Sequence, residues 1–116
     1  MFFKNFQFAN GLSVSANFQT TPILLERVPS GYFIHGVFTG SPNGTVKLQA
    51  SGDSGVDAPP TNWVDITDST LTISGAQSVG WNVSQPRYRF VSVVYIAISG
   101  SGSFSATVNI NGDDET

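Results

Sequence analysis

His35 is the one histidine of the 116-residue chain, and cysteine is absent. A serine nucleophile would need His35 as its base. Yet His35 stands in mid-strand between Phe33 and Val37, with no G-x-S-x-G near it. It reads as a half-buried structural histidine. Multi-histidine metal sites, Cys–zinc sites, disulfides and thiol chemistry are excluded by inventory. Asp65 and Asp68 are the best pair for glycosidase-type acid–base work. They end a short strand and enter a turn, where Asp commonly caps backbone amides. Asp53-Ser54-Gly55-Val56-Asp57 resembles the start of a calcium loop. An EF-hand closes on a Glu at its twelfth position, and counting from Asp53 that position is Val64. The segment reads as a polar loop, so no metal and no cofactor is expected.

Five aromatics could stack on a sugar: Trp63, Trp81, Tyr32, Tyr88 and Tyr95. Trp81 alternates with Val79 and Val83 and so belongs to a buried face. Trp63 follows a Pro-rich loop and reads as a lid on one end of the domain. Arg87 and Arg89 share one strand face with Val91, Val93 and Tyr95. Guanidiniums beside an apolar strip are the composition of an interface rim. The alternative is a pair of surface salt bridges to Glu26 or Asp65. With Trp63, these five residues form the candidate partner interface.

The elements that position these residues follow a period of two. Leu12-Ser13-Val14-Ser15-Ala16-Asn17-Phe18 alternates strictly and predicts a half-buried strand. Phe104, Ala106, Val108 and Ile110 repeat the pattern. Val46 to Ala50, Leu71 to Ile73 and Val79 to Val83 give shorter versions, and Phe2, Phe6 and Phe8 predict an N-terminal strand. Tyr32 to Phe38 and Tyr88 to Ile96 are apolar on both faces, which predicts central strands covered on both sides. In the second of these, Phe90, Val94 and Ile96 oppose Val91, Val93 and Tyr95. One layer of a two-layer fold can cover only one of those faces. The other predicts a homo-oligomer, with a trimer as the first guess, or docking onto a larger shell.

Gly40-Ser41-Pro42-Asn43-Gly44, Ser74-Gly75-Ala76-Gln77 and Ser99-Gly100-Ser101-Gly102 read as hairpin loops. The longest loop runs from Ser51 to Thr61, where Pro59-Pro60 blocks ladder hydrogen bonding. No stretch carries a helical stripe. The expectation is an all-β, antiparallel β-sandwich or jelly-roll-like domain of eight or nine short strands over residues 1–111. Residues 112–116 would form an acidic flexible tail.

Charged residues make up 11% of the chain, with net charge −3, against about 25% for an average domain. There is no basic footprint for nucleic acid and no polybasic membrane segment. No run approaches the ~20 apolar residues of a bilayer-spanning helix, and no signal-peptide core is seen. Synthesis and residence in a cytoplasm are expected. Polarity comes from 15 Ser, 10 Thr, 8 Asn and 12 Gly. Such a surface hydrogen-bonds well but repels its copies weakly, which suits assembly or sugar contact.

Three stretches in order carry a resemblance: Val37 to Ser51, then Thr61-Asn62-Trp63-Val64-Asp65-Ile66, then Trp81-Asn82-Val83 followed by Tyr88 to Tyr95 and Ser99-Gly100-Ser101-Gly102. This series, over residues 31 to 110, resembles small β-sandwich structural and accessory proteins of tailed bacteriophages and prophages. The resemblance implies a non-enzymatic virion protein, of the capsid decoration (cement) or head/tail accessory type. It implies contact with itself and with other virion proteins such as the major capsid protein, after synthesis in a bacterial host cytoplasm. The loop carrying Gly55 to Pro60 is longer than the pattern and is where adaptation to a partner would sit. No catalytic residues come with the family. The rival reading is a carbohydrate-binding module for host-surface adsorption, using an exposed Trp63 or Tyr32.

Overall fold

The computed structural model describes residues 2–25, 29–52, 60–84 and 88–112. It is all-β and antiparallel throughout, with eight strands and no helix among the described residues. These are β1 (Phe2–Ser13), β2 (Phe18–Gln19), β3 (Ile23–Leu24), β4 (Pro29–Ser51), β5 (Val64–Asp65), β6 (Leu71–Ser74), β7 (Gln77–Ser84) and β8 (Phe90–Gly112). Two of them, β4 and β8, are 23 residues each. They pair with one another along their whole length, from Pro29↔Gly112 to Ser51↔Phe90.

Eight strands agree with the expected eight or nine, but β4 and β8 are long rather than short. Gly40-Ser41-Pro42-Asn43-Gly44 and Ser99-Gly100-Ser101-Gly102 are not hairpin loops. They lie opposite each other inside the long ladder, as Gly40↔Gly102 and Pro42↔Gly100. Gly40, Gly100 and Gly102 have φ of 83°, 98° and 129°, values that L side chains rarely adopt. The glycines therefore bend two paired strands at one corner, letting both pass from one layer to the other. Ser74 to Gln77 is a hairpin as expected, joining β6 to β7, with Gly75 at φ 88°.

The corner divides the ladder into two layers. In the first, residues 31–38 of β4 lie between β7 and the C-terminal half of β8, and that half of β8 also pairs with β1. In the second, residues 43–51 of β4 lie between β5 and β6 on one side and the N-terminal half of β8 on the other. That half of β8 pairs in turn with β2 and β3. The layers face one another. The Tyr32 and Tyr88 hydroxyls, from the far ends of the two layers, are hydrogen-bonded. Trp81 of β7 donates its indole Nε1 to the Ser69 carbonyl, 2.8 Å away in the loop before β6.

Even-numbered residues of β4 point inward in both layers, among them Ile34, Phe38, Val46 and Leu48. The strand β8 changes parity. Val91, Val93 and Tyr95 are buried in one half, and Phe104, Ala106, Val108 and Ile110 in the other. Ala97 pairs with Gly44 and Ser99 with Asn43, so Ile98 is one residue too many. This bulge switches the inward set and leaves Ile98 71% exposed. Phe18, Phe38, Tyr95 and Phe104 meet at the corner, with ring centroids 4.7–5.6 Å apart. Such pairs add about 0.5–1.5 kcal/mol each beyond their area.

The Tyr95 hydroxyl sits over Gly44, where an added Cβ would meet it at 2.7 Å. It is buried without a well-aligned hydrogen bond; the Asn43 backbone amide is the one group that favours its ionised form, and burial outweighs it. An unpaired buried hydroxyl costs about 1–3 kcal/mol of desolvation. Tyr95→Phe should therefore leave the melting temperature unchanged or raise it. A loss above about 1 kcal/mol in urea denaturation would show that the Asn43 amide holds the hydroxyl in place.

Two further expectations change. Leu12 to Phe18 is not one strand: β1 stops at Ser13, and a turn puts Val14 into the core before β2 begins. Gly112 ends β8 rather than starting the tail; residues 113–116 lie outside the described residues.

Candidate functional site

The residues singled out in the sequence do not converge. Val91, Val93 and Tyr95 are fully buried in the chain's own core. They offer a partner no surface, which removes them from the candidate interface. Ile23 pairs with Val91 and Phe18 with Tyr95, so the N-terminal segment supplies neighbours for this half of β8. On its opposite face Phe90 and Ser92 are buried too, and Gln19 Nε2 donates to Ser92 Oγ at 2.8 Å. Of the apolar residues on that face, only Ile96 is exposed, at 41%. Arg89 is exposed, its backbone N–H donating to the Ser51 carbonyl at 3.1 Å. Trp63 is half-buried. Arg87 and the Asp53–Asp57 loop lie outside the described residues.

Asp65 belongs to a surface network rather than to an acid–base pair. It accepts from Lys47 Nζ at 3.0 Å and from Gln49 Nε2 at 2.8 Å. These bonds, Gln49's first and Lys47's second, hold its carboxyl below the ordinary value. The cation facing Asp65 is thus Lys47, not an arginine. Asp68 sits in the following turn with φ 63°, a left-handed conformation that Asp tolerates. Among the described residues, no three of His, Cys, Asp or Glu gather where a metal ion could be held. Trp81 is buried between Val79 and Val83, as its alternation predicts. Tyr32 is buried as well, so it cannot serve as an exposed sugar platform.

The arrangement sequence reasoning missed lies on the outer face of the first layer. His35 is exposed there, not half-buried, and Phe33 and Val37 are exposed beside it. The strand from Tyr32 to Phe38 is central, as predicted, but only its even-numbered face is covered. Register gives the neighbours. Phe33 lies between Asn82 and Asn109, and His35 lies between Gly80 and Thr107. Asn5 and Gln7 of β1 extend these rows beyond Asn109 and Thr107. Asn5 Nδ2 donates to Asn109 Oδ1.

The Phe33 ring lies over Gly80, where an added Cβ would stand 2.8 Å from its Cζ. The His35 ring is stacked on it at 6.4 Å with planes 15° apart. Next to Phe33, a cleft of ≈ 230 Å³ is lined by Gly31, Tyr32, Asn82, Ser84, Asn109 and Asn111, with Phe33 and Val83. Gly31 forms part of its floor, and a Cβ there would run into the Val83 carbonyl at 2.6 Å. The signal available in the sequence was the odd set Phe33, His35 and Val37. Nothing in it told that this set faces solvent across from Gly80.

Comparison of the sequence with protein-family models and with curated proteins returns no match. The fold is similar to that of the SPBc2 prophage-derived protein YomS, with a TM-score of 0.54 at 10% identity over 92% of each chain. It is also similar to that of the Tobacco streak virus coat protein, with a TM-score of 0.50 at 9% identity, covering 99% of this chain and 88% of that one. At these identities the likeness is one of fold: a β-sandwich architecture shared with a prophage-derived protein and a viral coat protein.

Proposed function

We propose that the chain is a non-enzymatic structural component of a bacteriophage or prophage particle, acting as a capsid decoration or head/tail accessory protein. The observation that carries this reading is the fold itself, shared over 92% of the chain with a prophage-derived protein. The resemblance of residues 31 to 110 to tailed-phage accessory proteins supports it independently. The chemistry of the surface agrees. With few charges and many hydroxyl and amide groups, binding must come from short-range burial and neutral hydrogen bonds rather than long-range attraction.

The chain is made in the bacterial cytoplasm and joins the virion in many copies, as a homo-oligomer or docked on the shell. Arg89 and Trp63 keep accessible surface for such contacts, and Ile96 and Ile98 add exposed apolar groups close to the corner. Particles from cells carrying the gene, purified on a density gradient, are the test material. Quantitative mass spectrometry should find the chain in them at a fixed ratio to the major capsid protein. A chain that stays wholly in the soluble lysate while intact particles form would overturn the reading.

A further inference from the structure

We infer that the Phe33–His35 face, with the cleft beside it, is a binding site for neutral carbohydrate. Three features on one surface fit that class of ligand. The first is a flat ring. Phe33 is 39% exposed, and its ring is seated against Gly80. The His35 ring stands beside it, near-parallel, with its centroid 6.4 Å away. The apolar C–H face of a pyranose ring matches such a surface.

The second feature is the polar lining. The cleft brings together Asn82, Ser84, Asn109 and Asn111. Amides and hydroxyls supply donors and acceptors in about equal number, as a polyol requires. The bond from Asn5 occupies one acceptor site on Asn109 and orients its amide, so the Nδ2 donors face away from that bond. Asn82 and Asn111 make no side-chain hydrogen bond among the described residues, and both are exposed. The third feature is charge. Outward-facing residues 78–84 of β7, 31–39 of β4, 103–111 of β8 and 5–7 of β1 include no Asp, Glu, Lys or Arg. Among the described residues, a sulfated, phosphorylated or carboxylated ligand would find no countercharge on this face.

The proposal does not depend on a place in the virion, and a positive result would hold for a free protein as well. Isothermal titration of the full chain with neutral hexasaccharides of glucose, mannose, galactose and N-acetylglucosamine tests it, with heparin as the anionic comparison. At least one neutral probe should bind, with an affinity unchanged between low and high salt. Amide shifts in a two-dimensional NMR spectrum should cluster on Phe33, Asn82, Asn109 and Asn111. Phe33→Ala should weaken binding about tenfold or more, and Phe33→Trp should restore it. Asn82→Ala, on an exposed strand position, should weaken binding without changing the melting temperature. Binding of heparin alone, binding indifferent to both Phe33→Ala and Asn82→Ala, or no binding of any neutral probe would each overturn the site.

Discussion

Gly102→Ala should remove about 3 kcal/mol or more of stability, the sum of a left-handed backbone penalty and a steric clash. Gly102 has φ 129°. A Cβ built on it would stand 1.9 Å from the Thr39 carbonyl oxygen and 3.1 Å from the Gly40 Cα. Neither neighbour is the end of a flexible side chain. Both are backbone of the strand paired with β8 at the corner, so relief means moving the ladder. Gly75 is the control. Its φ is also positive, at 88°, but nothing lies within 4 Å of its would-be Cβ. Gly75→Ala should therefore cost about 1 kcal/mol, the conformational part alone. For a domain of this size the Gly102 substitution corresponds to a fall in melting temperature of more than ~10 °C. Urea denaturation of the two variants checks the contrast, and equal losses would mean that the corner is not steric in origin.

Raising the pH above 10 should unfold the chain in step with ionisation of its tyrosines. The chain has three tyrosines, and each has its phenol raised above the ordinary 10.0. Burial is the first cause in all three. Tyr32 is raised further by its hydrogen bond to Tyr88 and by the charge Tyr88 would carry, whereas that bond opposes the rise at Tyr88. The sign follows from linkage. The folded chain keeps these groups neutral at a pH where the unfolded chain ionises them. Their contribution is complete below the unfolded value and is lost as pH rises through the folded ones.

Above pH 10 each tyrosine still neutral in the fold removes about 1.4 kcal/mol per pH unit. Phenolate absorbance should stay flat past pH 10 and then rise together with the loss of the circular dichroism of the sheet. Tyr32→Phe should make that alkaline limb shallower. A gradual phenolate signal centred on pH 10 in a chain that remains folded would show that the Tyr32–Tyr88 pair is open to water.

The alternation of apolar and polar residues determined, without any tertiary information, that the chain is all-β. It also placed Trp81 with Val79 on an inward face, made the strand of Tyr32 to Phe38 central, and put a turn at Gly75. Each of these rests on the two-residue period of a strand or on a glycine local to a turn, so the information is local. The corner is different. Gly40 and Gly102 serve a bend only because each faces the other across the ladder, and a glycine that bends a strand looks the same in sequence as one that ends it.

Burial on β8 has the same character. Val91, Val93 and Tyr95 satisfy the pattern of an exposed interface strip as well as that of a core. The bulge at Ile98, together with segments 14–25 closing over that half of the sheet, decided that they are core. Once those residues turn inward, the face left to solvent is the one carrying Phe33, His35, Asn82 and Asn109. Its members come from three strands up to 76 positions apart, brought side by side by the hydrogen-bond register of β7, β4 and β8. Register is a property of paired strands, so no single stretch of the sequence could have displayed that face.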